Sequence, residues 1–267
     1  MNFKAWFLPA NIVLLALISV LTIKSVAPGL AAQQALFFFL SIPLFWFVSQ
    51  VKMIQLQKIT WWLYALLIVG LLITLIYGLS TGQTGRWAPL FGKFNIQPSQ
   101  LAIPLTTLAL LKLKPQLDHW PNLLKALAVI ALPAILILIE PDLGTTLIYL
   151  ISTSTYILMS NISWQKILTL GSVGLVGAIL AWFFLLQPYQ KQRLTSFVDS
   201  EADTQGASYN ARQSLIAAGS GQLFGRGLGQ GVQSHLRFLP ERQTDFIFAS
   251  FAEEFGFAGT LIILCLY

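Results

Sequence analysis

Residues 237–256 read RFLPERQTDFIFASFAEEFG, and this stretch decides the class of the chain. Its first half is polar, from Arg237 through Glu241 and Arg242 to Asp245. Its second half enters an apolar run, Phe246–Tyr267, that holds two more carboxylates, Glu253 and Glu254. An ionisable group at the centre of a membrane helix costs on the order of 3 kcal/mol by insertion scales, so such groups usually mark function. Eight residues, about 12 Å of helix rise, separate Asp245 from Glu253. With Asp245 near an interface, Glu253 lies close to mid-membrane. At about 100° per residue, Glu253 is about 80° and Glu254 about 180° around from Asp245, so the glutamates face different neighbours. Either they are neutral or paired as structural glue, or at least one faces a wet groove. Asp245 suits the N-cap of the helix that follows, and a cap can also act as a base.

The rest of the chain points to a membrane protein. Apolar residues make up 56% and charged residues 10%, against roughly 25% charged in a soluble domain. Apolar windows near Ala5–Ile23, Ala31–Val51, Trp61–Leu79, Ser99–Leu113, Leu123–Ile139, Leu143–Ser160, Ile167–Gln187 and Phe246–Tyr267 predict eight crossings, the fourth of them short. The expected fold is an all-α, polytopic transmembrane helical bundle with one long extracytoplasmic loop between spans seven and eight. With the N-terminus cytoplasmic, the inner face carries Lys4, Lys52, Lys58, Lys112, Lys114, Lys125 and Lys166, and the short outer loops carry Lys24, Arg86 and Lys93. That asymmetry follows the positive-inside rule and accounts for the net charge of +6 without an acidic partner. No basic patch interleaved with aromatics points to nucleic acid. Ser25-Val26-Ala27 looks like a cleavage site, but the run before it is long for a signal peptide and more spans follow, so it reads as a retained helix. Cys265 is the single cysteine, so no internal disulfide forms.

Three places interrupt the alternation of helix and short turn. The outer loop 80–98 contains Gly82, Gly85, Gly92, Arg86, Trp87, Lys93 and Gln97. Trp87 fits either a functional loop or an interfacial aromatic belt. The turn 140–145 reads EPDLGT: Pro141 stops one helix and Asp142 can cap the next. Capping does not explain Glu140, which either snorkels to the interface or faces a polar cavity. The segment 188–244 has no span, yet Tyr189, Phe197, Tyr209, Leu215, Leu223, Phe224 and Leu239 give it apolar surface to bury. Tyr209–Ala218 predicts a short amphipathic helix, followed by Gly219, Gly221, Gly225, Gly227, Gly229 and Gly231. These glycines do not match a phosphate-binding loop. They let the backbone hug neighbouring helices, or they expose N–H groups to an anion. His119 and His235 fall on opposite faces of the membrane, so no histidine metal cluster is expected, and no Ser-His-Asp or Cys-His set is present.

The blocks FLPERQTDFIFASFAEEFG, GRW at 85–87, NIQPS at 95–99, EPDLGTT at 140–146, YQKQRL at 189–194, GASYNARQSLIAAGSG at 206–221 and GRG at 225–227 resemble the SEDS family, the RodA/FtsW-type peptidoglycan polymerases. They occur in family order and span nearly the whole chain. YQKQRL and LPERQTD lean towards the elongation branch typified by RodA. The resemblance implies a glycosyltransferase that polymerises lipid II at the outer face of the bacterial inner membrane, with Asp245 as catalytic base. It implies substrate contacts from Trp87, Gln97, Ser99, Glu140, Asp142, Arg193, Gln213, Ser214, Arg226, Glu241, Thr244 and Glu253. It also implies a class B penicillin-binding protein (a transpeptidase) as partner. The donor leaves as a lipid diphosphate, so the reaction needs a base and positive charge more than a strong acid. Arg193, Arg212, Arg226, Arg237, Arg242 or a divalent cation (Mg or Mn) can supply that charge.

The sequence departs from the family pattern at several positions. Gln100 and Ile103 stand where a glutamate and a lysine are usual, Gln243 replaces a histidine and Gln222 a glycine. The family runs to about ten spans, so residues 1–267 read as one SEDS-type domain, with 188–245 as its large outer loop and without the last two spans. Two other functions fit parts of the pattern. A lipid II flippase would want polar groups spread across the membrane depth. A noncatalytic scaffold for the transpeptidase would suit the departures.

Overall fold

A computed structural model describes residues 3–81, 85–90, 94–113, 118–160, 162–188, 190–191, 207–236 and 238–267. Gly82, Gly92, Lys93, Lys114, Tyr189, Arg193, Phe197 and Arg237, named above, lie outside the described residues. The chain divides into two compact units, one of residues 50–187 and one of residues 1–49 with 188–267.

In the first unit, α3 (Met53–Thr81) leads through a two-stranded antiparallel hairpin, β1 (Ala88–Leu90) and β2 (Phe94–Ile96), to α4 (Ala102–Leu113), α5 (Trp120–Ile139), α6 (Leu143–Leu158) and α7 (Trp164–Leu180). The hairpin was not foreseen, because its three-residue strands carry too little alternation to register as a period. Pro98 opens a 3-10 turn, Pro98–Leu101, that tips the chain into α4 and packs on Gly70 of α3, where a Cβ would stand 3.2 Å from the proline ring. Leu67, Leu71, Leu110, Leu123, Ile137 and Tyr149 form the core of this unit. Tyr149 is fully buried and donates to Ile130 O at 3.1 Å, so its hydroxyl is satisfied where water is absent. α7 has no buried residue, and its N-terminus is tied to Asp118 through Lys166 Nζ (3.0 Å) and Ser163 N (2.9 Å). A helix apolar all round with no buried face belongs in lipid.

In the second unit, α1 (Phe3–Val26) and α2 (Pro28–Ser49) pack with α8 (Ala207–Ser220), the single turn α9 (Val232–His235) and α10 (Ile247–Leu266). α1 and α10 are antiparallel. Asn11 bonds Leu266 O at one end, and Arg242 Nε bonds Val26 O at the other. α10 is broken at Gly256, where φ is 68° and ψ is −167°. A broken helix strands its backbone groups, which cost several kcal/mol each if left bare in hydrocarbon. Residues 222–227 supply the missing partners. Phe257 N and Ala258 N donate to Gln222 O (2.8 Å) and Leu223 O (3.0 Å), while Arg226 N and Gly227 N donate to Glu253 O (2.9 Å) and Glu254 O (3.0 Å). Only glycine fits the crossing: Gly225 has φ +83°, and a Cβ there would overlap the Glu254 carbonyl. Gly221 and Gly225 therefore hug a helix, the first of the two expected roles, while Gly229 N donates to the Glu254 carboxylate at 3.1 Å.

Among the described residues, six helices, α1, α2, α3, α5, α7 with its extension to Phe184, and α10, are long and apolar enough to cross a membrane. The fourth and sixth expected spans are represented by α4, of 12 residues, and α6, of 16. The fold is that of an all-α, multi-pass membrane protein.

Candidate active site

Each unit holds a polar cluster. In the first unit it surrounds the 140–145 turn. Asp142 caps α6 as expected, accepting from Thr145 N at 3.2 Å. Its other oxygen accepts from Gln97 Nε2 at 3.2 Å and stands 3.9 Å from Arg86 Nε. Arg86 also donates to Glu140 O at 3.3 Å and to Pro141 O. Glu140 does not snorkel: it is fully buried and accepts from Thr74 Oγ1 at 2.5 Å. Burial pushes its pKa up to about 7, with Asp142 adding to the shift and Thr74 and Arg86 opposing it. Its second oxygen and the buried Ser99 hydroxyl have no partner among the described residues. Trp87 is 47% exposed beside this cluster's arginine in sequence.

In the second unit the polar stretch 238–246 is a tight turn fastened at several points. Leu239 is fully buried against Ala217 and Ala249, and its N–H donates to Gln233 O at 3.2 Å. Glu241 adopts φ +48°, and its carbonyl accepts from Thr244 N (3.1 Å) and Phe246 N (3.2 Å). Its carboxylate holds Thr244 Oγ1 at 3.1 Å and Gln243 Nε2 at 3.4 Å. Arg242 O accepts from Ser250 Oγ at 3.2 Å, and the guanidinium reaches Val26.

Asp245 is exposed and makes no side-chain hydrogen bond or ion pair with any described residue. This corrects the expectation of an N-cap. The cap position is Phe246, without a side-chain cap bond, because the carbonyls of Glu241 and Thr244 already receive the N–H groups of Phe246 and Ile247. Among the described residues, nothing holds the carboxylate.

Glu253 and Glu254 point inward. Glu253 is fully buried and accepts from Gln233 N (2.8 Å), Ser234 N (3.0 Å) and Ser234 Oγ (2.6 Å). Glu254 receives Ser25 Oγ (2.5 Å), Gly229 N (3.1 Å) and His235 Nε2 (3.0 Å) on one oxygen. The other oxygen has no partner among the described residues. Ser25, Ser234 and His235 were not singled out as partners, since they lie 19 to 229 residues away in sequence. Ser25 had drawn notice only for its likeness to a cleavage site.

The remaining named residues sit apart from the turn's own hydrogen bonds. On α8, Gln213 and Ser214 are half-buried, and Ser214 Oγ bonds Ala211 O of its own helix at 2.7 Å. Arg226 is exposed and donates to Ser220 Oγ at 3.1 Å. Arg193 lies outside the described residues. Among the described residues, no three His, Cys, Asp or Glu side chains gather to hold a metal ion. An apolar cavity of about 430 Å³ lies among α1, α2 and α10, lined by Leu15, Thr22, Phe38, Ile247, Phe248 and Phe251, the α10 lining starting two residues after Asp245 in sequence.

Comparison with known proteins adds the following. The FtsW/RodA/SpoVE family profile, described as "Cell cycle protein", matches residues 2–267. The "Peptidoglycan glycosyltransferase MrdB" of Escherichia coli (strain K12) is 40% identical over 215 residues, 77% of this chain and 56% of that protein. The "Probable peptidoglycan glycosyltransferase FtsW" of Aliivibrio salmonicida (strain LFI1238) is 36% identical over 246 residues, 88% of this chain and 59% of that protein. The chain thus spans little more than half the length of these curated relatives. A solved structure described as "Structural coordination of polymerization and crosslinking by a peptidoglycan synthase complex" aligns with a TM-score of 0.75 and 24% identity, over 98% of this chain and 74% of that one. That likeness shows the fold.

Proposed function

The chain belongs to the FtsW/RodA/SpoVE family, and on that premise we propose that it is a peptidoglycan glycosyltransferase, polymerising lipid II into glycan strands during cell elongation. The observation that carries this reading is the state of Asp245. Of the described carboxylates in its unit, Glu253 and Glu254 are buried and accept from internal donors and Glu241 ties its own turn together, while Asp245 is exposed and has no side-chain partner among the described residues.

Asp245 accepts the proton of the acceptor 4-hydroxyl as that oxygen attacks the donor's anomeric carbon. The bond from that carbon to the lipid diphosphate breaks, and the diphosphate leaves with its electron pair. Inversion requires base and leaving group on opposite sides of the carbon, as in inverting glycosidases. Among the described residues, Arg226 and Arg212 are exposed cations open to the diphosphate. The apolar cavity lined by Ile247 and Phe248, close to Asp245 in sequence, offers the lipid tail a matching surface.

The lysine asymmetry supports a cytoplasmic N-terminus in the bacterial plasma membrane, with Asp245 on the outer face. A class B penicillin-binding protein is the proposed partner, and the relatives' glycosyltransferase names support the chemistry. The test is polymer formation from purified lipid II by this chain with that partner. Asp245→Asn should reduce it by at least about 100-fold. Equal rates would remove Asp245 from the chemistry, and lipid II crossing sealed vesicles without polymer would favour transport.

A further inference from the structure

The geometry points to Glu253 as a positioning residue that holds the Asp245 turn in place from inside the bundle and does not touch substrate. This rests on Asp245 being the base. Three donors fill the two oxygens of Glu253, two backbone N–H groups and the Ser234 hydroxyl, all within 3.0 Å. The side chain has no exposed surface for a sugar or a diphosphate to reach.

The contacts run outward from there. Gln233 and Ser234, gripped by Glu253, belong to the single turn α9. Gln233 O in turn receives Leu239 N at 3.2 Å. Leu239 is fully buried between α8 and α10, and the turn to Asp245 begins at the next residue. At its other side the turn is closed by Phe246 N on Glu241 O and by Ser250 Oγ on Arg242 O. Asp245 and Glu253 flank one stretch of α10. The glutamate thus ties the far arm of the loop back to α10, the helix that follows the base. One backbone hydrogen bond, from Leu239 N to Gln233 O, joins α9 to the segment that leads to Asp245.

Two substitutions disturb this grip in different ways. Glu253→Gln sets an amide donor against a site of three donors. Gly231→Ala keeps the carboxylate but places a Cβ 2.8 Å from Oε2 and 3.0 Å from Cδ, so the carboxylate must shift. Misplacing a catalytic group by about 1 Å costs on the order of 100-fold in rate.

Steady-state polymerisation of lipid II by the chain with its transpeptidase partner tests this. Both variants should lower kcat by about 10- to 100-fold while KM stays within about twofold of wild type. Should Glu253→Gln fail to fold, Ser234→Ala removes a single donor and should lower kcat by about three- to tenfold. Hydrogen exchange needs no turnover: in Glu253→Gln, or in Ser234→Ala as its substitute, the amides of Leu239, Thr244 and Phe246 should exchange faster. Wild-type kcat, or unchanged protection of those three amides, overturns the proposal. A raised KM at wild-type kcat also overturns it, by making Glu253 a substrate ligand. Full activity of Asp245→Asn would instead strike the base assignment, with the exchange result still reporting on the clamp.

Discussion

At Glu140 the fold holds a carboxyl group away from water with one hydroxyl donor, Thr74, and its pKa rises to about 7. Below about pH 4.5 the group is protonated in both folded and unfolded chains. Between about 4.5 and 7 the unfolded chain releases the proton while the folded chain keeps it, so stability falls as pH rises through that window and levels off above it. The component is on the order of 2 kcal/mol. Thermal unfolding in detergent should show this slope in wild type and lose it in Glu140→Gln, which keeps an acceptor for Thr74. An identical slope in the variant would assign it elsewhere. Residue chemistry was partly legible in the sequence. Asp142 capped as its place after Pro141 implied, because a cap depends on residues three positions away. Asp245 did not, because a backbone turn through Glu241 took the N–H groups it would have capped. The partners of Glu253 and Glu254 were not legible, since they come from distant segments.

Among the elements, the least legible was the passage of residues 221–231 beside the break in α10. The glycines signalled close approach, but nothing local said against what. The break at Gly256 lies in an otherwise unbroken apolar run, so hydropathy reads straight through it. The three glycines at this crossing, Gly221, Gly225 and Gly256, should not tolerate a side chain. Gly225→Ala puts a Cβ at positive φ into the Glu254 carbonyl. It should destabilise the protein by about 2–4 kcal/mol, read as a drop in Tm. Gly174→Ala on α7, where nothing lies within 4 Å, should leave Tm unchanged or raise it slightly. Similar Tm values for both would mean the loop does not dock as described.

Across the whole molecule, the apolar spans were the most legible feature, because twenty consecutive apolar residues need no partner to identify them. α4 and α6 are shorter, and neighbours in their own unit bury part of each. The proposed orientation rests on the lysines and is testable. In a Cys265→Ser background, cysteine at Lys52 or Lys166 should react with an impermeant thiol reagent only after the cells are opened. Cysteine at Gln230 should react in intact cells. The reverse pattern would invert the topology and move Asp245 to the cytoplasmic face. The account turns on whether that aspartate is a base. Single-turnover glycan formation from lipid II, compared between wild type and Asp245→Asn with folding checked by Tm, measures this most directly. The account predicts an unchanged Tm and a rate lower by about 100-fold or more, whereas a folded variant that polymerises at the wild-type rate would contradict it.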